Sequence, residues 1–277
     1  MPERLEAHLL EKLASLFAAP GDLDTDSLHQ TRVATRRLRV GLRFFAALYP
    51  EGELKQVRRQ LRRLTGVLGE VRTMDVNIHL LRKAARRLPA STAAAQRKLV
   101  AGWLAARHTH LDALRDFRRA LHTSHFQARI RQLILKPRPL DDKRLLKESN
   151  AALNQLRREL RRRYRKYRRQ ESLDVFHKLR LAAKRYRYAL EICAAVFDTA
   201  ATPRIRAVET LQDQTGICHD LEVLIDSLKV DKELAGAQDE MLAFFREEHA
   251  AQFERFEEFL SEERTWIKKV KLALPRD

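Results

Sequence analysis

The stretch His29-Gln30-Thr31-Arg32-Val33-Ala34-Thr35-Arg36-Arg37-Leu38-Arg39 returns in altered form as His177-Lys178-Leu179-Arg180-Leu181-Ala182-Ala183-Lys184-Arg185-Tyr186-Arg187. Each copy sets a cation three, seven, eight and ten residues after its histidine. These are helical steps. At 100° per residue, His29, Arg32, Arg36 and Arg39 fall within about 80° of one another, and Arg43 joins them. His177, Arg180, Lys184 and Arg187 repeat the arc, while Arg37 and Arg185 are expected to point elsewhere. Like charges stacked on one face destabilise an isolated helix by about 0.2–0.5 kcal/mol per pair, so helix formation gives no reason for the ladder. An anionic complement does.

A second pair of signals shares the spacing. Leu64 through Gly69 to Asp75-Val76 lines up with Leu211 through Gly216 to Glu222-Val223. The two histidines are 148 residues apart and the two glycines 147, so the chain carries an internal repeat. The stiff, charged segment Lys136-Pro137-Arg138-Pro139 is the natural boundary, dividing the chain into halves 1–136 and 137–277.

With both signals in hand, the chain resembles the CHAD domain family, the conserved histidine α-helical domain. The family is recognised by paired His-x-x-Arg-x-x-x-(Arg/Lys)-Arg-x-Arg helices, each followed by a Leu-Gly-x-x-(Arg/His)-Asp-type turn. The resemblance spans about residues 5 to 265. One departure is Thr73, which stands in the first turn where an Asp is usual, whereas the second turn keeps His219-Asp220. The resemblance implies an all-α fold of two pseudo-twofold-related helical-bundle repeats, together one domain, around a shared basic cavity that binds inorganic polyphosphate. It places His29, Arg32, Arg36, Arg39, Arg43, His177, Arg180, Lys184 and Arg187 at that ligand.

Composition agrees with a helical protein. Only 8 Gly and 8 Pro occur in 277 residues, and almost no sheet is expected. The formal net charge of +18 is unevenly placed: residues 29–230 hold 45 Lys/Arg against 19 Asp/Glu, while both flanks are net acidic. Such a basic middle attracts polyanions, whether nucleic acid, polyphosphate or an anionic membrane. The two cysteines, Cys193 and Cys218, are too few for a disulfide scaffold and fit a reducing compartment. No run reaches about 18 apolar residues and no signal sequence opens the chain, so a cytoplasmic protein without membrane insertion is expected; the family resemblance adds association with polyphosphate granules as an expectation.

Along the chain, periodicity predicts a first helix over 3–18 ending at Pro20-Gly21, then the motif helix, capped by Asp26 or Ser27 and running to about Leu48. A helix over 51–68 follows, with Leu54, Val57, Leu61, Leu64 and Leu68 on one side and Lys55, Arg58, Arg59, Arg62 and Arg63 on another. Lys55, Arg59 and Arg62 thereby join the expected site as a second basic wall, and Arg206 matches Arg59 in the other half. Glu51-Gly52-Glu53-Leu54-Lys55 also matches the signature of the CYTH triphosphatases, but there it lies on a strand, and here it opens a helix after a proline. Further helices are expected over 73–88, 91–122, 126–135, 141–169, 172–196, 203–214, 220–228 and 232–269. Within 157–169 nine of thirteen residues are cations, and Tyr164 and Tyr167, at i and i+3, are expected to pack that helix down rather than stack on bases.

No Gly-x-x-x-x-Gly-Lys loop, His-Glu-x-x-His or paired Cys-x-x-Cys is present, so no cofactor or metal is expected. His108/His110 and His122/His125 lack an evident third ligand. Cys218-His219-Asp220 matches the repeated turn better than a reactive thiol. The expected activity is binding without catalysis. Two other readings remain open: an RNA- or DNA-associating protein using 157–169, with nucleic acid at least a weaker competitor, and a polyphosphate-processing enzyme, for which Asp75, Asp220 and Glu222 are the carboxylates the repeat singles out. The oligomeric state is not encoded in any of these patterns.

Overall fold

The computed structural model describes residues 2–18, 24–231 and 236–262. Among them are nine α-helices, two short 3₁₀ turns and no strand: α1 (Pro2–Phe17), α2 (Thr25–Phe44), α3 (Glu51–Ala84), α4 (Ala93–Thr123), α5 (Phe126–Leu135), α6 (Asp142–Tyr167), α7 (Leu173–Phe197), α8 (Thr202–Val230) and α9 (Gln238–Glu262). The expected all-α architecture is found. The Pro20-Gly21 stop, residues 232–235 and the expected extension of the last helix to 269 lie outside the described residues.

The chain forms two compact units. Within the described residues the first takes 2–66 and 116–212, and the second takes 67–115 and 213–262. Both motif helices, α2 and α7, belong to the first unit.

There α7 is the central element, packing on α6, α1 and α2. Its sequence explains why. Leu179, Ala183, Tyr186, Ala189, Leu190 and Cys193 are all buried to the last per cent, and alternating small with large side chains lets neighbouring helices come close on several faces. α1 presents Leu5, Leu9, Leu13 and Leu16 at helical spacing, all buried. α2 answers with Leu38 and Leu42, and the two helices touch at Gly41, where an added Cβ would lie 2.5 Å from Leu9 Cδ2.

α2 starts earlier and stops sooner than its sequence suggests. The N-cap is Asp24, whose carboxylate accepts from the Ser27 N–H at 2.7 Å, rather than Asp26 or Ser27. Asp24 stands in the same Asp/Ser cluster but leaves Asp26 in the first turn, where its charge favours the helix dipole. At the other end the helix gives way at Phe45 to a 3₁₀ turn, Ala46–Leu48, ahead of Pro50.

α3 and α8 overturn two boundaries. Gly69 and Gly216 do not end helices: α3 runs unbroken from Glu51 to Ala84 and α8 from Thr202 to Val230. The repeated Leu-Gly segment is helical in both copies, because a lone glycine costs a helix only about 1 kcal/mol and buried Leu64, Leu68 and Val71 anchor both sides of Gly69.

In the second unit, residues 67–84 of α3, 93–115 of α4, 213–230 of α8 and α9 enclose a core of Ile78, Leu81, Leu99, Trp103, Leu221, Leu224, Leu228, Met241, Leu242 and Phe245. Polar links brace it. Arg107 Nε donates to Asp75 at 2.6 Å and Asn77 donates to Ser227 at 3.0 Å. The pairing of Asp75 with Arg107 gives that repeated carboxylate a structural partner.

Candidate functional site

The basic motif has two neighbourhoods on α2 and α7, and they differ in how charge is balanced. In the first, Glu191 of α7 accepts from Arg37 Nε of α2 at 3.1 Å and from Arg187 Nε at 2.8 Å, while Arg187 also meets Glu209 of α8 at 2.9 Å. The Arg36 guanidinium lies 4.7 Å from the centre of the Tyr188 ring and that of Arg187 5.8 Å, so the buried ring attracts a cation from each motif helix. Arg36 Nε is buried without a hydrogen-bond partner. Burial lowers the Arg36 pKa, with Tyr188 opposing and the charge of Arg187 adding to the shift.

In the second neighbourhood, cations face cations. Arg39 of α2 donates through Nη1 to Thr65 Oγ1 at 2.9 Å, which brings it to α3. Its pKa is lowered by burial and then by the charges of Arg62, Arg58 and Arg43. Arg43 is lowered by burial and then by Arg185 and Arg58. Among the described residues, the charges that shift either group are all arginines. Arg43 and Arg185 both line a groove of about 430 Å³ between α2, α6 and α7.

A single register produces both neighbourhoods. Arg37 stands eight residues after His29, and Glu191 stands fourteen after His177. Arg185 stands eight after His177, and Arg43 fourteen after His29. The eighth position of each motif helix therefore meets the fourteenth of the other, in both directions. In one meeting the fourteenth residue is a carboxylate; in the other it is an arginine.

Of the residues the sequence singles out, the structure brings Arg39, Arg43 and Arg62 together, and separately Arg36 with Arg187. Arg180 is buried, Arg32, His177 and Lys184 are half-buried, and His29 is exposed in the first turns of α2. Close to His177, the Asp174 carboxyl is held below its usual range, the hydrogen bond from Lys178 being the largest cause. Lys55 and Arg59 stand exposed on α3 and Arg206 exposed on α8, and the charges acting on Arg39 and Arg43 come from other residues.

Two cations go beyond the sequence expectation. Arg58 belongs to the Arg39 cluster, and Arg185, expected to point away from the motif arc, reaches Arg43 instead. On the wheel Arg58 lies about 40° from Arg62, within the basic wall of α3, whereas Arg185 is off the arc of its own helix and only the crossing of α2 with α7 reveals it. Arg37 likewise turns to a carboxylate of the neighbouring helix rather than to solvent.

The remaining candidates are quiet. Burial pushes the Cys218 thiol up to about 11 and raises Cys193 as well, so neither is a thiolate near neutral pH. Among the described residues no group of three or more His, Cys, Asp or Glu could hold a metal ion, and no helix is long and apolar enough to cross a membrane. Tyr164 and Tyr167 are buried, Tyr167 against Phe176 at 6.0 Å, as expected of core residues.

Fold and site define an all-helical protein built on a duplicated basic helix. The chain belongs to the CHAD domain family, whose model matches residues 5–229. Among solved structures it is similar to the CHAD domain from the plant Ricinus communis, with a TM-score of 0.71 at 23% identity, covering 99% of this chain and 93% of that one. It is similar also to PptA from Streptomyces chartreusis, with a TM-score of 0.70 at 16% identity, covering 93% of this chain and 98% of the other. No curated protein sequence matches at a significant level.

Proposed function

We propose that the protein binds inorganic polyphosphate without transforming it. The observation that carries this reading is the cluster of Arg39 and Arg43 with Arg58, Arg62 and Arg185, in which the charges acting on Arg39 and Arg43 from the described residues are those of other arginines. Arg39 and Arg58 are half-buried and Arg43, Arg62 and Arg185 exposed; like charges gathered in this way repel, and a multivalent anion is the natural counterweight. Polyphosphate is the ligand the family resemblance implies. It suits a site whose cations come from several helices and whose tyrosines are buried rather than offered to bases.

In this reading the chain comprises two pseudo-twofold repeats, 1–136 and 137–277, and the reciprocal meeting of eighth and fourteenth positions supports that relation for α2 and α7. The phosphate chain runs from the arginine cluster along the motif helices past His29, Arg32, His177, Arg180 and Lys184. The protein works in the cytoplasm, at polyphosphate granules, and has no catalytic residue. RNA and DNA compete less well, since Tyr164 and Tyr167 of the densest basic run are buried and offer no stacking platform.

Replacing Arg39, Arg43, Arg58 and Arg62 together by Gln tests the site. The variant is expected to keep its helix content by circular dichroism and to lose retention on immobilised polyphosphate. Undiminished retention removes the assignment. Incubation of the unaltered protein with polyphosphate and Mg²⁺ is expected to release no phosphate over hours; steady release would replace binding by hydrolysis.

A further inference from the structure

The two meetings of α2 with α7 act as an internal control. Where Arg37 meets position fourteen of α7, that position is Glu191, and its carboxylate closes the site with hydrogen bonds from Arg37 and Arg187. Where Arg185 meets position fourteen of α2, that position is Arg43, and the corresponding place holds guanidiniums beside an open groove of about 430 Å³. At one end of the crossing the protein supplies an anion from position fourteen; at the other, position fourteen is itself a cation.

The groove is more than a cationic notch. Val40 and Phe44 of α2 and Ala152 and Leu156 of α6 give it apolar walls, and Gln155 places an amide on the rim. Glu159, the one carboxylate lining it, is already engaged by Arg163 at 2.7 Å and by Arg162. A bare phosphate chain has no use for the apolar part. The volume falls within the range of about 300–1,000 Å³ usual for small-molecule pockets.

We propose that this groove takes the organic end of a nucleoside 5′-polyphosphate, with its phosphates on Arg43 and Arg185 and running on to Arg39, Arg58 and Arg62. The inference rests on the cationic cluster being a phosphate site, and adds an end group that polyphosphate lacks. A fatty or aromatic monocarboxylate would leave most of the guanidiniums unanswered. A base, by contrast, lays its ring on Phe44 and Leu156 and offers its edge to the Gln155 amide, which both donates and accepts.

The test compares ATP with tripolyphosphate by calorimetry on the full chain, since both present three phosphates and only one has an organic end. ATP is expected to bind at least about fivefold more tightly despite its smaller charge. Ala152→Trp, which fills the groove from α6, is expected to abolish that advantage and leave tripolyphosphate binding as it was. Arg185→Gln is expected to weaken ATP more than tripolyphosphate. Equal or weaker binding of ATP than of tripolyphosphate overturns the inference while the phosphate site stands, as does an undiminished ATP advantage in either variant. Failure of tripolyphosphate itself to bind removes the cluster's reading, and the groove's with it.

Discussion

Gly41 shows how finely a single position sets the motif helix. Its missing Cβ lets α2 lie against Leu9, which is fully buried and has little room to retreat. Gly41→Ala is expected to destabilise the protein by about 1–3 kcal/mol in urea denaturation, despite the helix-favouring methyl. His8, on α1, has its pKa lowered by burial and then by the charge of Lys12. The unfolded chain therefore takes up this proton at about pH 6.5, before the folded one does. The stability due to neutral His8 is complete above that pH and is lost as the pH falls from there towards the lowered native value. His8→Gln should flatten that part of the pH dependence of the denaturation midpoint. Cys193 and Cys218 should resist iodoacetamide at pH 7.5 in the folded protein and react once it is unfolded, as mass spectrometry can follow. At this scale the sequence was a partial guide: the arc of cations was visible from spacing, but the division between Arg37, which finds Glu191, and Arg185, which finds Arg43, depends on a partner helix 148 residues away.

Among elements, the exposed faces of the helices behave differently from their buried ones. Buried faces were legible: Leu54, Val57, Leu61, Leu64 and Leu68 repeat on α3 and are all buried. Helix ends were less so, because Gly69 and Gly216 look like punctuation and prove to lie inside α3 and α8. An added Cβ at either glycine would meet nothing within 4 Å. Gly69→Ala and Gly216→Ala should each therefore stabilise the protein by up to about 1 kcal/mol, measured by the shift of the denaturation midpoint. A loss of stability would mean that a break in the helix is needed there. On α6 the packing face of Leu153, Leu160, Tyr164 and Tyr167 is buried, and Arg158, Arg161, Arg165 and Lys166 project from the solvated side. Elsewhere exposed arginines find acids one turn away, as Arg144 finds Glu148 on the same helix. The dense run after it has one, Glu159, shared by Arg162 and Arg163.

For the molecule as a whole, a net charge of +18 makes any polyanion complex strongly salt-dependent, because bound phosphates release their counterions. Glu191 sits at the point where charge and cohesion compete. Its replacement by Gln should lower stability by about 1–3 kcal/mol, since Arg37 and Arg187 lose a charged acceptor. The same change should tighten polyphosphate binding at 0.15 M salt by freeing positive charge, and a fall in affinity would show that Glu191 orients the site instead. The two-unit layout was not legible from the repeat, which suggests a division near Pro137. Each compact unit instead draws on both sequence halves, 2–66 with 116–212 and 67–115 with 213–262. A nascent chain leaving the ribosome thus has nothing whole to close until residue 212 or so has emerged, and the later unit closes only some fifty residues after that. Its first arginine helix waits, exposed, while more than a hundred residues are added. Chains stopped at 200 should yield no protease-resistant fragment, and stalled intermediates of this protein should be clients of chaperones that shield positive charge.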